Sequence, residues 1–418
     1  MIEVESNPER VMLVGVQTQK YSDEHFASLM KELSSLTETA GGVPVKVMTQ
    51  KLTRLDSRTA VGSGKLEEIK AQVEIEEIDL VIFYNGLTPS MNRHVEEGLG
   101  VRAIDRTQLI LDIFALRANS REGKLQVELA QYEFLLPRMH GQGKLLSRLG
   151  GGIGTRGPGE TKLETDRRHI RNLINVTKKE LEELDDHRER TRVRRQSGRE
   201  FNLGLVGYTN SGKSTLLSKL TETETYIQDQ LFATLDPLTR KLTINGQSAF
   251  TLTDTVGFIE ELPTQLIQAF KSTLEEMRYV DLLIHVVDAS SPERDRHEQT
   301  VLSILEDLNM EQIPVLTIYN KADKIEVDSF EQTLFPNIVI SAYNEEDIER
   351  LKQKIWEHTL ETSEKFTVEI QPAESELLAL YRQKTLIESI DFNEEHQFYI
   401  LTGYRRRIKE DNNDAGGN

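Results

Sequence analysis

The chain has 418 residues, 37% of them apolar and 29% charged, with no cysteine and a net charge of −18. That length suits about three domains, and the composition is that of a folded chain. Disulfides, thiol catalysis and cysteine-bound zinc are excluded. No apolar run approaches the roughly 18 residues of a membrane span, and no secretory leader is legible, so a cytoplasmic location without membrane contact is expected.

In the first 120 residues, short apolar runs at Val11–Val16, Val43–Met48 and Leu80–Tyr84 read as buried strands. Glu24–Leu36 and Lys65–Val73 have helical spacing between them, so residues 1–120 predict an N-terminal α/β domain with a parallel sheet. Over 121–139, Leu125, Leu129, Tyr132 and Leu136 share one helical face. A second helix is expected from about Leu163 to Arg195, with Ile170, Leu173, Ile174, Thr177, Leu181 and Leu184 in step. Residues 121–198 therefore predict an antiparallel helical hairpin carrying the glycine-rich loop 141–159 at its tip. Residues 199–362 return to strands and helices, with apolar runs at Phe201–Val206, Ala249–Leu252, Leu282–Val287, Val315–Tyr319 and Ile338–Ile340. Residues 363–418 predict a small α+β domain of strand, helix and strand (Phe366–Ile370 and Phe398–Leu401) with a disordered tail.

The charge is unevenly spread. From Arg138 to Arg199, 16 Lys and Arg face 9 Asp and Glu, a net of +7, while the rest carries −25. Phosphate attraction is local and screened within roughly 10 Å, so one basic segment suffices to bind RNA from an acidic body. A solvated charged helix is the plainer alternative.

Gly207-Tyr208-Thr209-Asn210-Ser211-Gly212-Lys213-Ser214 fits G-x-x-x-x-G-K-[ST], between the strand FNLGLV and a helix at Thr215–Leu220. Such a loop wraps phosphate with its backbone N–H groups; Lys213 reaches the β- and γ-phosphates and Ser214 suits Mg²⁺. Asp254-Thr-Val-Gly257 follows an apolar strand, which puts Asp254 on Mg²⁺ and the Gly257 amide on the γ-phosphate. Asn320-Lys321-Ala-Asp323 follows another strand. The Asp323 carboxylate accepts from guanine N1–H and N2–H₂, donors that adenine lacks, so the nucleotide is GTP or GDP. Ser341-Ala342 follows a third strand, and a backbone amide there suits guanine O6. Four motifs in order at strand C-termini form a strong set, because open α/β sheets bind ligands at that edge. The fold class expected is α/β: a P-loop GTPase domain, mainly parallel with helices on both faces, plus the three flanking parts. Tyr226–Thr239 is expected to be the first switch, with Thr234 on Mg²⁺ and Thr225 and Thr239 as alternatives. The catalytic set is Lys213, Thr234 and Gly257. Phe258 stands where many GTPases carry a water-orienting glutamine, which predicts slow intrinsic hydrolysis unless a partner or another side chain supplies the missing group.

The loop GGIGTRGPGE (Gly150–Gly152 through Glu160), its continuation TKLETDRR to Arg168, and the GTPase motifs that follow resemble the HflX family of translational GTPases. The resemblance covers nearly the whole chain and extends to the hydrophobic residue at Phe258. It implies ribosome binding, mainly to the large subunit, with the GTP-bound form splitting or rescuing stalled ribosomes under stress and the ribosome stimulating hydrolysis. It also implies that the hairpin tip meets rRNA in the peptidyl-transferase region, which suits Arg138, Lys144, Arg148, Arg156 and Lys162 among the loop glycines. A monomer is expected. The family also carries ATP use by the N-terminal domain, and an ATP-dependent RNA or ribosome remodeller is the rival reading. Val61-Gly-Ser-Gly-Lys65 lacks full phosphate-loop spacing and is read mainly as a turn before a helix.

Overall fold

The computed structural model describes residues 8–139, 158–196, 201–221, 231–232, 237–255, 257–261, 276–394 and 396–406. The chain divides into two compact units. The first is Met1–Asp185 with Asp229–Leu235 and Glu261–Lys271; the second is the remainder.

The first unit opens with β1 (Arg10–Gln17), α1 (Asp23–Thr39), β2 (Val43–Lys51), α2 (Ser63–Ile75) and β3 (Leu80–Phe83). It continues with α3 (Pro89–Leu99), β4 (Arg102–Asp105) and α4 (Arg106–Arg117). The strands pair in the order β2-β1-β3-β4, all parallel. β1 and β3 are buried on both faces, which is why they read as unbroken apolar runs rather than alternating ones. Helix ends are set locally. Ser22, Thr88 and Asp105 each accept a backbone N–H at an N-terminus, and α3 begins on Pro89 and stops at Gly100 in the left-handed region. Met12, Val14, Val16, Ile69, Phe83 and Val95 form the centre of the core. The β4–α4 pair goes beyond the strands read from sequence, because Arg102–Asp105 holds just two apolar residues, Ala103 and Ile104.

α5 (Arg121–Arg138) and α6 (Pro158–Gln196) are the two helices of the expected hairpin. Ion pairs from Arg121 to Glu180 (3.2 Å) and from Lys178 to Glu133 (2.8 Å) link them. The glycine-rich residues 141–157 and the C-terminal tail lie outside the described residues.

The second unit contains β5 (Phe201–Val206), α7 (Lys213–Thr221), β6 (Leu238–Ile244), β7 (Gln247–Asp254) and β8 (Leu282–Asp288). α8 (Arg294–Asp307), β9 (Val315–Asn320), β10 (Asn337–Val339) and α9 (Glu345–Thr362) follow. Its sheet runs β10-β9-β8-β5-β7-β6, parallel except for β6 against β7. Leu203, Leu205, Leu216, Leu252, Ile284, Ile318 and Ile355 fill the core. β6 escaped the sequence reading because its pattern is mostly exposed. Its signal is the Asn245-Gly246 turn, both residues at positive φ, which suits a two-residue hairpin.

The C-terminal part is β11 (Glu364–Ile370), α10 (Ser375–Lys384), β12 (Leu386–Asn393) and β13 (Phe398–Arg405). It makes an antiparallel sheet in the order β11-β13-β12, one strand more than expected. This part belongs to the same compact unit as the six-stranded sheet. Gln247 exchanges two 2.8 Å hydrogen bonds with the backbone of Ile387, and Leu386 enters the larger core. Among the described residues, no helix is long and apolar enough to cross a membrane.

Candidate functional site

The phosphate loop joins β5 to α7, so it leaves the sheet at its C-terminal edge. Its lysine is closed onto the loop itself. Lys213 Nζ donates to the carbonyls of Gly207 (3.0 Å) and Tyr208 (2.9 Å). Burial lowers the Lys213 pKa to about 8 against the opposing attraction of Asp254. An enclosed cation of this kind gains most from an anion arriving beside it. Thr215, the third residue of α7, is buried beneath the loop. Ser214 Oγ donates to Asp254 Oδ2 at 2.7 Å, so two hard oxygen donors already stand together at the end of β7.

The second motif threads directly against the loop. Phe258 N donates to Gly207 O (3.1 Å) and Thr209 N donates to Phe258 O (2.7 Å), a short parallel bridge between Tyr208 and Phe258. The Tyr208 hydroxyl extends it by accepting Glu260 N–H at 2.9 Å, while the Tyr208 ring stacks on His297 at 3.8 Å. A Cβ on Gly257 would lie 2.8 Å from Thr209 Cγ2 and 3.0 Å from Lys213 Nζ, so only glycine passes here. Phe258 is buried with Val206, Met277, Val280 and Leu283. Its ring faces the core, not the phosphate end of the loop, in keeping with the absence of a water-orienting group at that position.

The base-reading motifs are cross-braced. Asn320 Nδ2 donates to Ser211 O (2.9 Å), and Asn320 Oδ1 accepts Ala342 N–H (3.0 Å). A Cβ at Gly212 would collide with Asn320 Nδ2, so the second loop glycine is required by the Asn320 contact as well as by its φ of +101°. Lys321 reaches Asn210 O (2.8 Å) and Asp288 Oδ2 (2.7 Å). Ser341 Oγ donates to Asp323 Oδ1 at 2.6 Å, which orients that carboxylate. Gly207 to Thr215, Asp254, Gly257, Asn320, Lys321, Asp323, Ser341 and Ala342 thus converge on one edge of one sheet. Asp288, Tyr208's ring contacts and His297 belong to this assembly too; nothing local in the sequence marked them.

Other expected residues fare differently. Thr234 and Thr225 lie outside the described residues. Thr239 sits in β6, where its hydroxyl is 2.9 Å from that of Thr253, a cross-strand contact rather than a switch position. Lys144, Arg148 and Arg156 lie outside the described residues, and Lys162 falls within α6. Arg138 is committed internally: it pairs with buried Asp105 (3.0 Å), donates to Leu87 O (3.1 Å) and lies over the Phe134 ring. Its guanidinium anchors the end of α5, a structural role that stands beside the expected rRNA contact. In the Val61–Lys65 turn, Gly62 precedes α2 and Lys65 Nζ is 3.0 Å from both Glu68 carboxylate oxygens, as befits the start of a helix.

No motif in the sequence marks His285. It lies on β8 beside Val206 and Thr317, 1% exposed, and its Nδ1 has no hydrogen-bond partner. Burial, and then the nearby Lys213 charge, lower its pKa to about 4. The unfolded chain takes up this proton near pH 6.5 and the folded chain does not, so stability falls as pH drops from 6.5 towards 4. His285→Leu should flatten that loss by about 2 kcal/mol at pH 4.5. Urea unfolding of both proteins at pH 7 and pH 4.5 checks this; parallel losses would exclude His285 as the source.

One further carboxylate stands out in the first unit. Glu261 pairs with Lys20, accepts from Tyr21 (2.7 Å) and Tyr84 (3.2 Å), and its carbonyl accepts from Arg106. Burial opposes its ionisation, but the Lys20 and Tyr21 hydrogen bonds outweigh it and hold the pKa below the usual carboxylate range.

A phosphate loop, an aspartate at the end of the adjoining strand and a guanine-type N-K-x-D pair on one parallel sheet edge define a P-loop GTPase. Residues 202–321 match the model described as 50S ribosome-binding GTPase. Residues 27–115 and 117–195 match the GTP-binding GTPase N-terminal and GTP-binding GTPase Middle Region models. The chain is 50% identical over 397 residues to GTPase HflX of Alkalihalophilus pseudofirmus, covering 95% of this chain and 93% of that one. It is 40% identical over 364 residues to GTPase HflX of Escherichia coli, covering 86% and 85%. A crystal structure of SsGBP in complex with GDP matches with a TM-score of 0.50 and 27% identity, over 84% of this chain and 99% of that one. The chain belongs to the HflX family of GTPases, and it binds and hydrolyses GTP.

Proposed function

We propose that this GTPase is a Mg²⁺-dependent, monomeric, cytoplasmic factor that docks on the large ribosomal subunit and splits or rescues stalled ribosomes, with the ribosome stimulating hydrolysis. The observation that carries it is the convergence of all four nucleotide motifs in a domain similar to 50S ribosome-binding GTPases. The donor set at Ser214 and Asp254 is hard oxygen throughout, which fits Mg²⁺. When bound, the ion supplies charge neutralisation at the β- and γ-phosphates.

The chain's own residues do the rest. Lys213 holds the terminal phosphate by charge, and Asp323 with the Ala342 region reads guanine. Thr234 is assigned to the metal in the triphosphate state. Gly257 is tied to Phe258, whose backbone is bridged to the loop, so a γ-phosphate that displaces Gly257 shifts the whole Gly257–Glu260 segment. Lys144, Arg148, Arg156 and Lys162 are assigned to rRNA phosphates around the hairpin tip. The Phe258 side chain carries no hydrogen-bonding group, which favours a partner that completes the hydrolytic site.

Co-sedimentation with ribosomes in GDP and in a non-hydrolysable GTP analogue, over a salt series, tests this. Binding should require the triphosphate form and weaken steeply with salt, as several phosphate contacts demand. Binding indifferent to nucleotide would overturn the switch, and a flat salt response would overturn the rRNA contact.

A further inference from the structure

Buried hydroxyl groups are rarely left without a partner, because leaving one unsatisfied costs free energy. Thr209 is 6% exposed, and its Oγ1 is enclosed with no hydrogen-bond partner. It sits in the phosphate loop against Gly257, whose amide is assigned to the γ-phosphate. Its Cγ2 faces Gly257, and a Cβ at Gly257 would touch both Thr209 and Lys213 Nζ. Backbone therefore occupies the space directly in front of the lysine.

The neighbouring side chains around Gly257 are otherwise engaged. Thr255 Oγ1 donates to Leu205 O (2.8 Å), Ser214 Oγ donates to Asp254, and Phe258 is in the core. Ser211 Oγ also lacks a partner, but it lies beneath the loop, beside the position a Cβ on Gly207 would take and close to Val286. Among these described side chains, Thr209 combines a spare hydroxyl with a contact to Gly257; Cγ2 makes that contact, so a turn about χ1 is what brings Oγ1 to the same side. Its backbone N–H donates to Phe258 O, inside the segment that a γ-phosphate would shift.

We propose that the Thr209 hydroxyl is a catalytic group of GTP hydrolysis, bridging the attacking water and a γ-phosphate oxygen in place of the glutamine that Phe258 does not supply. When the γ-phosphate enters in front of Lys213, Gly257 withdraws and the hydroxyl gains partners. It accepts a hydrogen bond from the water and donates its own proton in a hydrogen bond to a γ-phosphate oxygen. The water oxygen bonds to γ-phosphorus as the bond to the β,γ-bridging oxygen breaks, releasing GDP. The water's proton passes to a phosphate oxygen and leaves with inorganic phosphate, so Thr209 is unchanged. The role rests on the Mg²⁺-dependent site proposed above, but it is measured without ribosomes and so stands or falls apart from the ribosome reading.

The test is single-turnover GTP hydrolysis by the full chain, with Thr209→Val, which keeps the shape, and Thr209→Ser, which keeps the hydroxyl. A hydrogen bond to a charged group is at stake, so Thr209→Val should slow hydrolysis about 10- to 100-fold. Its rate should fall well beyond any change in GDP affinity, its GDP–aluminium fluoride complex should be weakened, and Thr209→Ser should restore the rate. Wild-type hydrolysis by Thr209→Val would overturn the proposal. So would a parallel loss of GDP affinity, or an equal loss of rate in Thr209→Ser, either of which makes Thr209 a packing residue of the loop.

Discussion

Asp323→Asn should lower the affinity for GDP and GTP by roughly 10³-fold or more and leave xanthine nucleotides as the better ligands, because polar sites reject analogues that strand their hydrogen-bonding groups. The carboxylate accepts two guanine donors, N1–H and N2–H₂. An amide in its place keeps one acceptor and puts an N–H₂ against the guanine amino group, whereas xanthine offers a carbonyl there. The effect should be local to the base, since among the described residues Asp323 is tied to the site by the hydrogen bond from Ser341 Oγ, at 2.6 Å. Asn320, which ties the loop to Ala342, is left intact. Competition binding with GDP and XDP measures the exchange. Undiminished GDP affinity in the variant would remove Asp323 from base recognition.

Lys213→Ala should reduce GTP turnover by at least about 100-fold, the scale on which a single transition-state donor is lost. Two consequences separate this from simple unfolding. The lysine is a buried charge whose pKa burial has driven down to about 8, so its removal relieves a desolvation cost in the nucleotide-free protein. The variant should therefore fold, while losing the stabilisation that GDP gives the wild type by mass action. Turnover and thermal shift with and without GDP report both. The same variant addresses the N-terminal ATPase alternative. An independent ATP site would keep its turnover in Lys213→Ala, whereas a chain with one nucleotide site would lose ATP and GTP turnover together. Wild-type GTP turnover in the variant would refute the phosphate-loop assignment altogether.

The nucleotide site was legible in the chain because its parts are local. Gly207–Ser214 needs only its own glycines, the strand before it and the helix after it, and Asn320–Asp323 follows β9, an apolar run buried on both faces. Such runs remain visible whatever they pack against. Half-exposed strands are not: β6 and β12 carry mixed patterns and were found only where the turn and the neighbouring strand impose pairing. The glycine-rich segment was recognisable as a family signature without any geometry.

What local pattern could never supply is which distant group completes a bond. Arg138 looks like a free cation in the basic segment, yet Asp105, buried far away in sequence, claims it. Phe258 announces a missing glutamine, but only the core around Met277 and Val280 shows that its ring has turned inward. Gly212 obeys a motif, and its necessity comes from Asn320, more than a hundred residues later. The unpartnered hydroxyl of Thr209 and the sequestered imidazole of His285 exist as chemical facts only after folding has stripped water from them. Composition and spacing specify which elements form, since those depend on a few neighbouring residues; partnership and desolvation depend on everything that packs around a group, and so belong to the folded molecule alone.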